Sequence, residues 1–135
     1  MSTVSLPDDP EADPRVKQVF DDIRATRGSE FINLLWKYLA FDPPLLKQVW
    51  DDVKSVMAEP SALDSKTKEM IYVAVSIANS CSYCVHSHTA AARAKGMSDA
   101  EHADLLRVVS TASKTNALLN GLQVPVDPQF NRETG

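Results

Sequence analysis

From Asp13 onward the apolar residues of this chain recur every three or four positions, the spacing of one helical face, and no stretch alternates apolar with polar as a half-buried strand does. Asp13-Pro14 is a start signal, because Asp caps free N–H groups and Pro suits a first turn; Val16, Val19, Phe20 and Ile23 then share a face until Gly28, predicting a helix over 14–27. FINLLWKYLA, from Phe31, is apolar on more than one side and fits a short buried helix. Asp42-Pro43 repeats the start signal, and Leu45, Leu46, Val49, Trp50, Val53, Val56 and Met57 keep one broad helical stripe as far as Glu59-Pro60. Leu63-Asp64-Ser65 opens the next helix. Its body MIYVAVSIA, from Met70, is apolar nearly all round, which suits the centre of the fold or a subunit interface, and it stops near Asn79-Ser80. A further helix runs to Gly96 as its C-cap, and Ser98 with Glu101 forms a capping box for the last. That last helix points Leu105, Leu106, Val108, Val109 and Ala112 inward and is expected to break near Ser113.

The expected fold is all-α: a single-domain bundle of about six helices over residues 1–135, with a helical hairpin at its centre and extended tails at 1–13 and 124–135. A chain of 135 residues can bury one core without disulfides or metals to hold it together. A net charge of −4, with no basic cluster, argues against nucleic acid or an anionic membrane as partner. The N-terminus lacks the basic start and apolar run of a secretory signal, and no segment has the length of a membrane span, so a cytoplasmic protein is expected. In a reducing compartment two cysteines separated by two residues point to catalysis or metal binding rather than to a permanent staple.

Those cysteines, Cys81 and Cys84, sit one turn apart at a helix start, close enough to bond when oxidised, where first-turn N–H groups and the helix dipole favour a thiolate. His88 follows Cys84 by four residues, on the same face and within reach of its sulfur, where an imidazole can take a thiol proton. If 64–78 and 81–95 form an antiparallel hairpin turning at Asn79-Ser80, Glu69 lies roughly 15 Å from the apex and His88 roughly 12 Å. A carboxylate at that level can orient the imidazole, although spacing alone does not fix which way Glu69 faces.

Glu69, eleven intervening residues, C-x-x-C and three more residues to His88 in an all-helical chain resemble the alkylhydroperoxidase D-like, carboxymuconolactone decarboxylase superfamily. The resemblance covers residues 30–110, with its motif confined to 69–96. It implies an all-α bundle assembling as trimers or hexamers, and a peroxiredoxin-like peroxidase for small organic hydroperoxides with no organic cofactor. By that resemblance Cys84 attacks the peroxide, Cys81 resolves the sulfenic acid as a disulfide, His88 and Glu69 relay protons, and a dithiol partner such as a lipoylated protein restores the thiols. Peroxidase-type members carry a second His inside C-x-x-C, where this chain has Ser82 and Tyr83; His86 lies on a different helical face from His88.

Two other functions stay open: decarboxylase-type chemistry on a lactone acid, which in the superfamily does not rely on a cysteine pair, and a non-enzymatic thiol sensor or assembly module. A zinc site built on Cys81, Cys84, His88 and His86 or His102 lacks the second half of a paired motif. His86 and His102 read as surface or polar-packing residues, Trp36, Trp50 and Phe41 as core or interface, and the acidic pairs Asp8-Asp9, Asp21-Asp22 and Asp51-Asp52 as solvated faces. The apolar MIYVAVSIA and FINLLW segments favour homo-oligomerisation.

Overall fold

A computed structural model describes residues 1–132. It contains six α-helices and no strand among the described residues, in the order α1 Pro14–Arg27, α2 Leu34–Leu39, α3 Pro43–Val53, α4 Ser65–Ala78, α5 Ser82–Ala94 and α6 Asp99–Leu122. The chain falls into two compact units, Met1–Ala62 and Leu63–Gly135.

In the first unit α1 packs on α3 and α2 on α3. Asp13 and Asp42 cap α1 and α3 through side-chain acceptance of the Arg15 and Leu45 N–H groups, with Pro in each first turn. Val16, Val19, Phe20 and Ile23 bury the predicted face of α1 against Ile32, Trp36, Ala40, Leu46 and Trp50. The two indoles meet edge to face, centroids 5.5 Å apart, and Trp50 Nε1 donates to Asp22 Oδ2 at 2.7 Å. Phe41, in contrast, is exposed. The stripe that runs to Pro60 is α-helical only as far as Val53 and then widens into a π turn, Lys54–Ala58, from which Lys54 reaches back to Asp22. The N-terminal segment carries a single 3-10 turn, Pro10–Ala12, with Glu11 paired to Arg24.

The second unit is built on the α4–α5 hairpin, with α6 packed on α4. Asp64 caps α4 by accepting the Thr67 N–H. The helix then closes with two overlapping hydrogen bonds, Cys81 N–H to Ser76 O and Ser80 N–H to Ile77 O, around Ser80 at φ 58°. This is the Schellman arrangement, with Ser where Gly is usual. Cys81 therefore has two tasks: its backbone N–H ends α4, and its sulfur accepts the Cys84 N–H as the N-cap of α5. The same closure recurs at the end of α5, where Met97 N–H bonds Ala92 O and Gly96 N–H bonds Arg93 O, with Gly96 at φ 102° and with Ala92 and Met97 both buried. The capping box of Ser98 and Glu101 opens α6.

Of the two places expected for MIYVAVSIA, the centre of the fold is not the one it takes within the chain: Val73 and Ser76 are buried, but Ile71 and Val75 are exposed. An expected break does fail: α6 runs unbroken through Ser113 to Leu122, and the Ser110 and Thr115 hydroxyls bond Arg107 O and Ala112 O of their own helix, which weakens it only slightly. Of its predicted inward face Leu105 alone is buried, and Leu106 and Val108 are open. No helix of the described residues is long and apolar enough to cross a membrane.

Because Gly96 needs a positive φ that an L side chain adopts at a cost of about 1–2 kcal/mol, Gly96→Ala is expected to lower unfolding free energy by about 1 kcal/mol even though no atom lies within 4 Å of the added Cβ. Urea titration followed by circular dichroism checks this.

Candidate active site

The inward stripe of α4 is Glu69, Val73 and Ser76, spaced four and three residues apart. Glu69 is only 5% exposed, and an isolated buried carboxylate is costly, so its partners define the site. Both oxygens are held from α5: Oε2 by His88 Nδ1 at 2.7 Å, and Oε1 by the Lys95 ammonium at 2.9 Å. Burial pushes the Glu69 carboxyl toward protonation, but the hydrogen bonds from His88 and Lys95, with their charges, outweigh it and hold the carboxyl below its usual range. Tyr72, one turn along α4 from Glu69, stacks on the imidazole with centroids 3.6 Å apart and planes 20° from parallel. Burial raises the Tyr72 phenol, and the negative charge available at Cys84, Cys81 and Glu69 adds to that rise.

The cysteines are free thiols at the opposite end of this face, both partly buried. They share charge unequally. Cys81 accepts a hydrogen bond from Cys84 and, at 3.4 Å, the Cys84 N–H, and both interactions lower its pKa. Cys84 is pushed up to about 11 by burial, by its hydrogen bond to Cys81 and by the Cys81 charge, with the Ser76 hydroxyl opposing. The first proton to leave the pair is thus that of Cys81, whose sulfur then accepts from the Cys84 thiol.

The four residues singled out by spacing all lie on the α4–α5 hairpin, in two directly bonded pairs: Glu69 with His88, and Cys81 with Cys84. No hydrogen bond joins the His88 ring to either sulfur in this resting geometry. His86 and His102 lie apart from the site: His86 Nδ1 bonds Ser82 O in its own helix, and His102 Nδ1 contacts Arg93. No group of three or more His, Cys, Asp or Glu among the described residues is arranged to hold a metal ion.

Three members escaped the sequence reading, and all had a periodic signal. Lys95 follows His88 by seven residues, two turns along the same face, while Tyr72 and Ser76 follow Glu69 by three and seven.

Known proteins resemble this chain in sequence and in fold. The model of the carboxymuconolactone decarboxylase family matches residues 44–127, a span that contains the whole site. A solved structure described as the alkylhydroperoxidase AhpD core from Rhodospirillum rubrum is 61% identical, superposes with a TM-score of 0.93, and aligns over 96% of this chain and 97% of that one. No curated protein matches.

The inequality of the thiols has a direct readout. Iodoacetamide in limited amount near neutral pH is expected to modify Cys81 before Cys84, and Cys81→Ser should bring the Cys84 alkylation midpoint down from about 11 toward that of an ordinary thiol, since two of the three causes raising it disappear. Peptide mass spectrometry across a pH series gives both results.

Proposed function

Because the chain belongs to the carboxymuconolactone decarboxylase family, with the all-α fold of an alkylhydroperoxidase AhpD core, we propose that it is a thiol-dependent peroxidase that reduces small organic hydroperoxides through Cys81 and Cys84. The observation that carries this reading is the dithiol at the α5 N-terminus, on the same hairpin as a buried, hydrogen-bonded carboxylate–imidazole pair.

In the proposed cycle His88, four residues beyond Cys84 on the same helical face, takes the Cys84 proton as peroxide enters. The Cys84 sulfur attacks the terminal peroxide oxygen; the O–O bond breaks, sulfur loses two electrons, and the departing alkoxide takes the proton from His88 and leaves as alcohol. Glu69 balances the imidazolium in between. The Cys81 thiolate then attacks the Cys84 sulfenic acid, forming the disulfide and releasing hydroxide, which leaves as water on gaining a proton. A dithiol reductant, such as a lipoylated protein, restores both thiols by exchange and becomes a disulfide itself. The inequality of the two thiols suits this order: the resolving sulfur ionises the more readily, while the attacking one stays protonated until a base acts.

Self-association belongs to the same reading. Helix α6 carries Leu106, Val108, Leu118, Leu119 and Leu122 exposed, and Ile71 and Val75 of α4 are open as well, an apolar surface suited to a second copy of the chain in a trimer or hexamer.

Two experiments test these statements. Reduced protein given one equivalent of cumene hydroperoxide is expected to lose both thiols with the peroxide; Cys84→Ser should abolish consumption, and Cys81→Ser should stop at a sulfenic acid on residue 84, which dimedone traps. Thiols that survive excess peroxide would mean a buried, metal-bound or structural pair and would end the peroxidase reading. In light scattering the protein should have a mass several times its 14.8 kDa chain, reduced by the pair Leu118→Glu and Leu122→Glu; a wild-type monomer would rule out self-association.

A further inference from the structure

The proposed cycle leaves Lys95 without a task, yet the chain goes to some length to place it. Lys95 is the C-cap of α5, held by its own N–H to Ala91 O and Ala92 O and followed by Gly96 in the left-handed region. Its flexible side chain runs back to a nearly buried oxygen of Glu69, although its exposure would let the ammonium stay in water. Ordering a lysine in this way costs side-chain entropy, and at an exposed site the resulting ion pair returns little. Here the acceptor is 6% exposed, and the same carboxylate holds the imidazole.

A carboxylate that has lost its proton can only accept hydrogen bonds, so the imidazole nitrogen 2.7 Å from it must carry a hydrogen. With His88 as the sole cation at hand, a buried Glu69 would draw a second proton onto the ring and hold it there, and an imidazolium cannot act as a base. A permanent ammonium on the other oxygen relieves that demand. We propose that Lys95 is a positioning residue: it keeps Glu69 ionised while His88 is neutral, which fixes the imidazole proton on Nδ1 and leaves Nε2 free to accept one. Among the described residues the other charged groups of the hairpin have partners of their own: Lys66 pairs with Glu101 and Arg93 with Asp99 and His102, while Lys68, beside Glu69 in sequence, also makes an interaction, and Tyr72 stacks on the ring.

The consequence for turnover rests on the reading of His88 as a base, but the tautomer does not, so the two can fail separately. The full chain labelled with [15N]histidine is titrated by NMR, with the His88 signals identified by their loss in His88→Gln, and the pH profile of cumene hydroperoxide reduction is recorded with dithiothreitol as reductant. The wild type should show a neutral Nδ1–H tautomer for His88. In Lys95→Met the ring should keep its second proton to a pH about one unit higher, making turnover about tenfold slower on the acid limb, whereas Lys95→Arg should keep the wild-type limb. An Nε2–H tautomer in the wild type, or a His88 titration identical in wild type and Lys95→Met, overturns the proposal. If Lys95→Met does not fold, Lys95→Gln, which removes the charge and keeps a polar side chain, is titrated in its place with the same outcomes. A wild type that shows the Nδ1–H tautomer and the Lys95→Met shift but consumes no peroxide upholds the role of Lys95 and defeats the peroxidase reading.

Discussion

A carboxylate cannot be taken out of water by itself, and Glu69 has been taken out of water. Leaving such a group unpaired costs several kcal/mol, so α4 and α5 must meet in a register that brings donors to both of its oxygens. His88 and Lys95 lie two turns apart on α5, and a slip of the hairpin by one residue would turn both off the shared face. The polar pair therefore selects one alignment of two helices whose apolar contacts, Val73 and Ala92 among them, would tolerate several.

The turn imposes the matching constraint at the other end. Between α4 and α5 there is room for one left-handed residue, Ser80, and the next residue closes one helix and caps the other. A cysteine in that place has its sulfur within reach of the Cys84 thiol and the Cys84 N–H, so the side chain one turn on and, after it, the backbone stabilise a thiolate there. Cys84, one turn in, is deeper and receives no such help. The difference between the two sulfurs follows from their positions in the turn.

Much of this was legible in the sequence. Caps announce themselves chemically, and Asp13, Asp42, Asp64 and Ser98 all cap as their residue types predict. The Glu69–His88 contact could be anticipated from hairpin arithmetic, because a two-residue turn leaves little freedom in which levels meet. Lys95 was passed over since a lysine at a helix end is ordinarily read as a solvated charge favoured by the dipole, and only the depth of its acceptor distinguishes it. The continuity of α6 was misjudged for a related reason: Ser and Thr weaken a helix on average, but a hydroxyl bonded to its own preceding turn does so only slightly. Neither the depth of a partner nor the aim of a hydroxyl is written in spacing.

The ordering of charge in the site also bears on how a reactive thiol survives in a cell. A permanently ionised attacking sulfur would meet every passing oxidant and move up the ladder toward forms no thiol can reverse. In the proposed cycle the sulfur that ionises first is the one that resolves, so an oxidant that reaches it finds a neighbouring thiol to close the disulfide, and the attacking one, pushed up to about 11, waits for a base. In that cycle the base is His88, four residues along the same helix, held by a carboxylate whose charge Lys95 also shares. Reactivity in such an arrangement is conditional on the imidazole being neutral and on a substrate bringing it into line with the thiol.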